Sequence, residues 1–496
     1  MGHLNYSLMR ARPGLAKAVA TTMGLHFLVL ASPTVLAADA SAATACGMQL
    51  GGTPAFCETF DTASGIGNRS GQLNGSIWGV SRWTGDMNFG SNYQTPWVPS
   101  TLTGCNGPQP AQPDGTDVII CNGQLRESSN DNATGAFGAG TVTALTMYPK
   151  QPFNFAGRTG TISFDVSNDT EGTHSVWPEL WVTDTPKPTP FLHFTNVAGS
   201  IPANAFGIRL AASTIAGQGA QLAPNCPSDN NIRWTVDSIV AVRNYVIDDT
   251  QGFGTRSNMA VTPTGCVIAS SGAGGGLNHV EVQVSQNQID VYATDAGTTT
   301  PLIHIASIAN VNLSFAQGLV WLEDVHYNAD ASGKTPLQHN HTFVWDNVAF
   351  DGPVQARDLS YDVSDSLTAC HDGTVCLGWD SISSSQPANL NTLPMTATAI
   401  SAANAQFLMF DAWFETQPKS ISFILNSHHY SFAWPFPYSS TFITNSFMFP
   451  VNKSDLVAGS NAIKLWSDQS MVVSNVDVVL AGAAGVPTGV TVAYSP

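Results

Sequence analysis

The chain has 496 residues, more than the roughly 250–300 at which a single hydrophobic core stops growing, so we expect two domains. Charged residues make up 11% of the chain and hydrophobic residues 43%, which excludes wholesale disorder and disfavours a helical bundle. The formal net charge of −17 argues against nucleic acid and anionic membranes as partners, since both bind basic surfaces.

The first 37 residues have the order of a secretory signal peptide. Basic residues at positions 10, 12 and 17 precede an apolar run over 18–30, and Val35-Leu36-Ala37 supplies a small-residue cleavage pattern. Polar residues and Gly24 interrupt the apolar run, whereas a membrane span needs about 20 predominantly apolar residues. We therefore expect an exported protein, extracellular or periplasmic, with residues 1–37 removed and no membrane span.

Residues 38–355 are predicted to form the larger domain, built from strands. The segment 159–167 alternates polar and apolar residues, and 278–285 and 288–293 read as a hairpin with its turn at Gln286-Asn287. The Gly-, Asn- and Pro-rich segment 85–140 is interpreted as long surface loops. The all-β texture favours two packed antiparallel sheets. Further strands are expected at 203–211, 318–327 and 341–350.

A second block follows a boundary near Pro353, because proline cannot donate to a strand ladder. Residues 356–485 are predicted to form a smaller β-sandwich, and residues 486–496 a tail. Its strand-like runs, separated by turn residues, are 407–414, 420–426, 446–451 and 462–466.

All eight cysteines follow the leader, and their even number is typical of an oxidising compartment. The simplest connectivity joins sequential pairs, and it stands as a hypothesis. Zinc is disfavoured because no Cys-x2-Cys spacing occurs. The proposed pairs are Cys46–Cys57, Cys105–Cys121, Cys226–Cys266 and Cys370–Cys376.

Three short motifs of the first block carry a resemblance. Phe56-Cys-Glu-Thr-Phe-Asp61, followed by Trp78, resembles the opening strand of the concanavalin A-like lectin/glucanase superfamily. Trp177-Pro-Glu-Leu-Trp181 is similar to the Trp-Pro-x-x-Trp strand of its laminarinase-type glycoside hydrolases, and Trp345-Asp-Asn-Val-Ala-Phe350 to its closing strand. The resemblance implies a jelly-roll sandwich for the first block.

The second block resembles accessory jelly-roll modules of carbohydrate-active enzymes, through Phe449-Pro-Val451, the run 456–463 and Trp466. The first block departs from the hydrolases in one respect: it lacks their Glu-x-Asp-x-(x)-Glu strand. Where that strand is expected, the chain reads Phe191-Leu-His-Phe-Thr-Asn196 and then Asn204-Ala-Phe-Gly-Ile-Arg209. The family's catalytic acid and nucleophile are therefore not carried over, and a fold analogy alone does not license catalysis.

Trp177, Glu179 and Trp181 are the first candidate site residues. On a strand these alternate residues share one face, and two indoles beside one carboxylate form a platform for a sugar ring. The alternative is that both indoles belong to the core and Glu179 is a hydrogen-bonded or rim carboxylate, because burial of an unpaired Glu is costly.

The segment 321–327 supplies the second candidate pair. Trp321 and Glu323 share a face on a strand, and Trp321 is a further sugar-binding candidate. If the chain is an enzyme, Glu179 and Glu323 are its catalytic acid and its nucleophile or base. The alternative is two ordinary acids at strand ends.

Histidines form a third constellation. His193, His339 and His341 are candidate sugar-binding residues, and His339 and His341, with His193 and His326, also fit the start of a transition-metal site. The alternative is a polar loop that runs into a strand. No cofactor is required by these patterns.

A structural calcium ion is implied by the resemblance alone, with Asp346 at the matching position in the closing strand. The alternative is that Asp346 caps a neighbouring loop.

We therefore expect a secreted, disulfide-braced protein that binds polysaccharide in an aromatic-lined groove of its jelly roll. The first alternative is a glycoside hydrolase with a nonstandard carboxylate pair. The second is an envelope or adhesive structural protein without a ligand site. Which glycan is bound stays open at this point.

Overall fold

In the computed structural model the described residues are almost entirely strands, which confirms the predicted all-β class. A single short α-helix, Ala397–Ala402, and one 3-10 turn, Lys453–Asp455, complete the regular elements of this part of the chain. The described residues are 46–63, 72–74, 77–84, 116–130, 142–167, 176–183, 205–213, 222–242, 245–246, 261–270, 276–327, 340–355, 359–364, 379–392, 394–414, 416–434 and 445–481.

Seventeen described strands precede Pro353, and they pair in two antiparallel sheets. They are β1 Pro54–Glu58, β2 Trp78–Thr84, β3 Thr116–Cys121, β4 Gln124–Asn130, β5 Val142–Pro149, β6 Phe153–Asn154, β7 Gly160–Ser167, β8 Val176–Thr183, β9 Ala205–Ser213, β10 Arg233–Val242, β11 Tyr245–Val246, β12 Val261–Pro263, β13 Asn278–Val284, β14 Gln288–Ala293, β15 Ile303–Ala309, β16 Gln317–Tyr327 and β17 Asn340–Asp351.

The first sheet, sheet A, has the order β12-β15-β14-β13-β7-β17-β4-β3, with β1 paired to β17. The second, sheet B, has the order β11-β10-β9-β8-β16-β5-β2, with β6 paired to β16. One hydrophobic cluster draws on inward-facing residues of both sheets, from Phe56 to Phe350. This arrangement is a sandwich, in which each sheet buries every second side chain because strand side chains alternate between faces.

The opening and closing motifs of the first block meet in sheet A. β1 pairs with β17, and the rings of Phe56 and Phe350 stack with centroids 5.1 Å apart. The Trp78 ring lies 5.6 Å from Phe56 and 5.7 Å from Phe60. The motifs of the resemblance are thus one aromatic corner of the core.

Nine described strands follow Pro353 and form sheet C, in the order β23-β22-β25-β20-β18-β26-β21-β24, with β19 paired to β26. They are β18 Leu359–Ser364, β19 Trp379–Ile382, β20 Ala388–Thr392, β21 Ala405–Trp413, β22 Ser420–Leu425, β23 His428–Ala433, β24 Asn445–Pro450, β25 Ala462–Ser467 and β26 Met471–Ala481.

Sheet C folds over on itself. Its two end strands meet, with the Phe432 ring of β23 5.2 Å from the Phe449 ring of β24. A second hydrophobic cluster fills the space, and its residues run from Ile382 to Leu480. Within the described residues, β1–β17 pair only among themselves and so do β18–β26. The domain boundary at 355/356 stays a proposal that agrees with this pairing.

The predicted strands at 159–167, 203–211, 318–327 and 341–350 and the 278–293 hairpin are confirmed, with end shifts of one or two residues. The interpretation of 85–140 as surface loops is wrong for 116–130. β3 and β4 form there, and Val118 and Leu125 are fully buried in the core. The remainder of that segment, the leader 1–37 and the tail 486–496 lie outside the described residues.

Two of the proposed disulfides are confirmed. Cys46 is bonded to Cys57 and Cys226 to Cys266, with Cα atoms 6.0 and 5.5 Å apart. Cys121 is also disulfide-bonded, while Cys105, Cys370 and Cys376 lie outside the described part of the chain. Over the residues that the structure describes, it contains no helix with the length and hydropathy that a membrane crossing needs.

Candidate functional site

The candidate residues of β8 and β16 lie on the face of sheet B that is turned away from the core. Both strands alternate strictly, so that every second side chain enters the core cluster. The residues that enter it are Leu180, Val182, Val320 and Leu322. The residues between them project to the opposite side, here called the outer face of sheet B: Glu179, Trp181, Trp321 and Glu323.

A row of charged residues crosses this outer face at one level of the ladder. Glu323 is directly opposite Glu179, Glu179 is directly opposite Arg209 of β9, and Arg209 is directly opposite Asp237 of β10. Side chains directly opposite in an antiparallel ladder have Cβ atoms about 4.5–5.5 Å apart, and like charges in such pairs are destabilising. Arg209 lies between Glu179 and Asp237 and forms an ion pair with Asp237. The charges therefore alternate from Glu179 through Arg209 to Asp237.

A row of rings crosses the outer face one level away. Trp321 is directly opposite Trp181, and the Tyr148 ring of β5 lies 4.1 Å from the Trp321 ring. The Trp181 Nε1–H donates to Glu179 Oε2 at 2.9 Å, and the Trp321 Nε1–H donates to Thr183 Oγ1 at 2.9 Å. The indole of Trp181 is therefore tied to the charged row.

Water does not reach the outer face at these positions. Glu179 and Trp181 are 1% exposed, and Trp321 and Glu323 are 0% exposed. The predicted indole–carboxylate arrangement is thus on this face, but Trp181 and Trp321 are packed there in a separate buried hydrophobic cluster with Tyr148, Ala205 and Leu319, and the face is closed to water in this structure. Any ligand at this site must displace the groups that cover it.

Of the remaining sugar-binding candidates, the described part of the chain places only Trp177 and His341, and it places His341 in the other sheet. Trp177 occupies a β8 position directly opposite Val325, and the structure describes only its backbone. His341 lies on β17 of sheet A, opposite Ser129, which is a different sheet from that of Glu179. His193 and His339 lie outside the described residues, and their roles stay predictions.

Asp346 lies on β17 directly opposite Asp165 of β7. Burial raises the pKa of Asp346 to about 7, and the charges of Asp165 and Asp61 add to the effect. The Asp165 oxygens already accept hydrogen bonds, from His279 at 2.6 Å and from Asn347 Nδ2 at 2.7 Å.

The described residues around Asp346 do not by themselves provide a calcium site. Calcium takes six to eight oxygen ligands, whereas the Asp346 carboxylate accepts hydrogen bonds from the Asn347 N–H and the Gln124 side chain, and both Asp165 oxygens also accept hydrogen bonds. Among the described residues no three His, Cys, Asp or Glu side chains converge as a metal site. The calcium prediction therefore has no described cage around it.

Three functional candidates of the outer face escape a reading of the sequence: Arg209, Asp237 and Tyr148. Arg209 is a single charge in the otherwise apolar strand Ala205–Ser213, and that pattern is a usable signal for a functional face. Asp237 and Tyr148 carry no such signal, because only the pairing of β9 with β10 and of β16 with β5 brings them to the site.

No family model matches the chain, and no curated protein matches it. Among solved structures it is similar to the exoplasmic/lumenal domain of VIP36 in its Ca2+/Man3GlcNAc-bound form, at 10% identity over 49% of this chain and 86% of that one, with a TM-score of 0.30. It is also similar to a prokaryotic β-1,3-1,4-glucanase (lichenase) derived from a mouse hindgut metagenome, at 10% identity over 60% and 98%, with a TM-score of 0.29.

A third similar structure is the basic winged bean lectin with Tn-antigen, at 11% identity over 60% of this chain and 99% of that one, with a TM-score of 0.31. Lectin and glucanase are the two kinds of protein that the sequence motifs resemble. Likenesses of this strength identify neither a site nor a ligand in this chain.

Proposed function

We propose that the chain is a secreted protein that binds polysaccharide, with a sugar ring held on the outer face of sheet B. One observation carries the proposal: the indoles of Trp181 and Trp321 and the carboxylates of Glu179 and Glu323 share the outer face of sheet B, outside the main core cluster and in a separate buried one. Aromatic faces pack on the apolar side of a pyranose, while charged planar groups bind its hydroxyls. The leader pattern and the two disulfides support export.

Binding at this site requires displacement of its cover, because the four side chains are at most 1% exposed. When binding depends on a conformational change, the association rate constant is lower than the typical value of roughly 10⁵–10⁷ M⁻¹s⁻¹. We therefore expect slow association with soluble oligosaccharides, measurable by surface plasmon resonance.

The test compares two buried tryptophans that donate to buried glutamates. Trp181 donates to Glu179 on the outer face of sheet B, and Trp345 donates to Glu127 at 2.5 Å in the core cluster. Trp181→Phe is expected to weaken polysaccharide binding by about tenfold, equivalent to about 1.4 kcal/mol. Trp345→Phe is the matched control, because it removes the same kind of hydrogen bond without touching the outer face.

Binding is measured by affinity electrophoresis of the whole chain in gels that contain mixed-linkage glucan, laminarin, mannan or alginate. Equal loss of binding in both variants would assign the effect to stability. Absence of binding to every polysaccharide would favour a structural protein without a ligand site.

A second candidate function is glycoside hydrolysis, favoured by the direct opposition of Glu179 and Glu323 on adjacent strands. Retaining glycosidases hold their two carboxyl groups about 5–5.5 Å apart, which is within reach of directly opposite strand positions. Glu179→Gln decides between the two functions. A hydrolase would lose its release of reducing ends, whereas a binding protein would retain most of its affinity and release none in either form.

A further inference from the structure

An indole lies on the outward face of the second sandwich, near the end of a strand that pairs on both sides. β25 alternates, so that Ile463 and Leu465 enter the core cluster while Lys464 is exposed and Trp466 is half-buried on the opposite face. β25 lies between β22 and β20. At the level of Trp466 the neighbour on one side is Ser422 of β22, whereas β20 begins at Ala388, opposite Leu465, so Trp466 lies one position beyond the β20 pairing.

Short polar side chains surround the indole on one side. Ser422 is directly opposite Trp466, Ser431 is directly opposite Ser422, and the Ser422 hydroxyl donates to Ser431 Oγ at 3.1 Å. The His429 ring lies 5.6 Å from the Trp466 ring, at an interplanar angle of 57°. Because the two rings are tilted against each other, they do not form one plane; the Trp466 face with the His429 ring beside it is here called the ring surface.

Groups that bind hydroxyls border this ring surface. Lys464 and Asn389 are directly opposite each other and both are exposed. Asp468 follows β25, and its Oδ1 accepts from the backbone N–H groups of Lys419 and Ser420, at 2.8 Å each. One aromatic platform is thus combined with an ammonium, an amide, an imidazole and an oriented carboxylate.

The chemistry of this face selects one class of occupant. A stable protein interface buries about 800 Å² on each partner, whereas a tryptophan side chain offers about 150–250 Å². The apolar residue Ile424, opposite Lys464 and His429 on the same face, is half-buried. The large hydrophobic residues that are exposed in the described chain, Leu50, Val354 and Val457, are not on this face. A second copy of the chain or a hydrophobic protein partner would find too little apolar surface.

A sugar ring needs one aromatic platform and several hydrogen-bonding groups around it. We infer that the outward face of β20, β22, β23 and β25 binds a pyranose ring of a polysaccharide against Trp466. This site goes beyond the proposed function, since no residue of the first sandwich takes part in it.

The experiment is affinity electrophoresis of the whole chain in the four polysaccharide gels named above. Trp466→Ala is expected to weaken retention in at least one gel by about tenfold, because it removes the platform while Ile463 and Leu465 keep the core. The matched control is Tyr292→Ala. Tyr292 is half-buried on the outward face of sheet A, and its ring stacks on His304 at 4.7 Å, so it is the same kind of ring pair at a different place.

The inference would be overturned if Trp466→Ala were retained in the gels as strongly as the unchanged chain. It would also be overturned if Tyr292→Ala lost as much retention as Trp466→Ala, or if the unchanged chain bound none of the four polysaccharides. If Trp466→Ala has an altered far-UV circular dichroism spectrum, the double variant Lys464→Ala/Asn389→Ala replaces it, because both residues are exposed. Unchanged retention of that variant would likewise overturn the inference. Loss in Trp466→Ala together with full retention in Trp181→Phe would contradict the proposed site and leave this one standing.

Discussion

His279 links two carboxylates on the outward side of sheet A. Its Nδ1 contacts Asp165 Oδ1 at 2.6 Å and its Nε2 contacts Glu281 Oε1 at 3.1 Å. Burial lowers the pKa of His279, but the hydrogen bonds to the two carboxylates raise it by more than that, and the resulting pKa is about 9. Glu281 also accepts from the backbone N–H groups of Gln49 and Leu50, so the imidazolium supports the attachment of the N-terminal segment to the sheet.

Stability should therefore fall between about pH 6.5 and pH 9. The folded pKa lies above the unfolded value of 6.5, so the stabilisation is complete below the unfolded pKa and is lost as the pH rises through the folded pKa. The full effect is of the order of 3 kcal/mol. Urea unfolding at intervals from pH 6 to pH 9.5 measures it, and His279→Gln should flatten that part of the curve. A chain that is equally stable across this range would contradict the assignment.

Asp346 shows the opposite linkage. Because its folded pKa is raised to about 7, ionisation opposes folding, and the stability that it removes grows as the pH rises from about 4 to above 7. In the unchanged chain the Asn347 N–H donates to Asp346 Oδ1 at 2.8 Å. Asp346→Asn keeps a side-chain oxygen that can accept this hydrogen bond. This variant should be more stable than the unchanged chain at pH 8 and equally stable at pH 3.

The same variant tests the calcium prediction. If Asp346 binds calcium, millimolar Ca2+ raises the melting temperature of the unchanged chain, EDTA reverses the rise, and Asp346→Asn abolishes it. The donor set around Asp346 leads us to expect no rise in either protein.

At the scale of the strand, two glycines make room for the rings of the outer face of sheet B. Gly207 of β9 is directly opposite Trp181, and a Cβ at Gly207 would lie 2.6 Å from the indole. Gly79 of β2 is directly opposite Tyr148, and a Cβ there would lie 2.2 Å from the ring. Glycine within a strand often marks such a close approach, and here both glycines flank the ring row.

Gly207→Ala should lower the free energy of unfolding by about 1–3 kcal/mol, because the Trp181 ring must leave its place. Gly52→Ala is the control, since a Cβ there meets its nearest atom, Asp351 Oδ2, at 3.4 Å. Chemical denaturation of both variants measures the difference. Equal, small effects would show that the Trp181 ring has room to move.

The strands themselves were predictable where a period of two was unbroken. In β13 and β14 the alternation of apolar residues predicts which face is buried. The four side chains on that face, Val280, Val282, Ile289 and Val291, are at most 1% exposed. β3 and β4 have the same lengths as β14 and β13, but they adjoin a long stretch rich in Gly, Asn and Pro, which hides them. They belong to sheet A because β4 pairs with β17, more than 200 residues further along the chain, and β3 pairs with β4.

At the scale of the whole molecule, buried hydrophobic clusters and two disulfides form the apolar and covalent framework of the described residues. The Cys46–Cys57 bond spans 11 residues and the Cys226–Cys266 bond spans 40. Loop-closure entropy rises with the length of the closed loop. The longer loop should therefore contribute more to stability.

Removal of Cys226–Cys266 by a double serine substitution should cost about 4 kcal/mol, against about 3 kcal/mol for Cys46–Cys57. The free energies of unfolding of the two double variants measure the difference. The reverse order would show that native-state strain, and not loop length, governs their contributions. Alkylation without reductant, followed by mass analysis, should label none of these four cysteines.

Alternation, turn residues and cysteine spacing determined the fold class, most strands and two disulfides from the sequence alone. Each of these patterns joins residues that are no more than about forty positions apart in the chain. The shared face of Trp181 and Glu179 was determined in the same way, since it depends on residues two apart. Only the tertiary structure decided that Glu323 and Arg209 stand on either side of Glu179 and that the whole row is closed to water. Those facts depend on the register between strands distant in the chain, and no local pattern encodes that register.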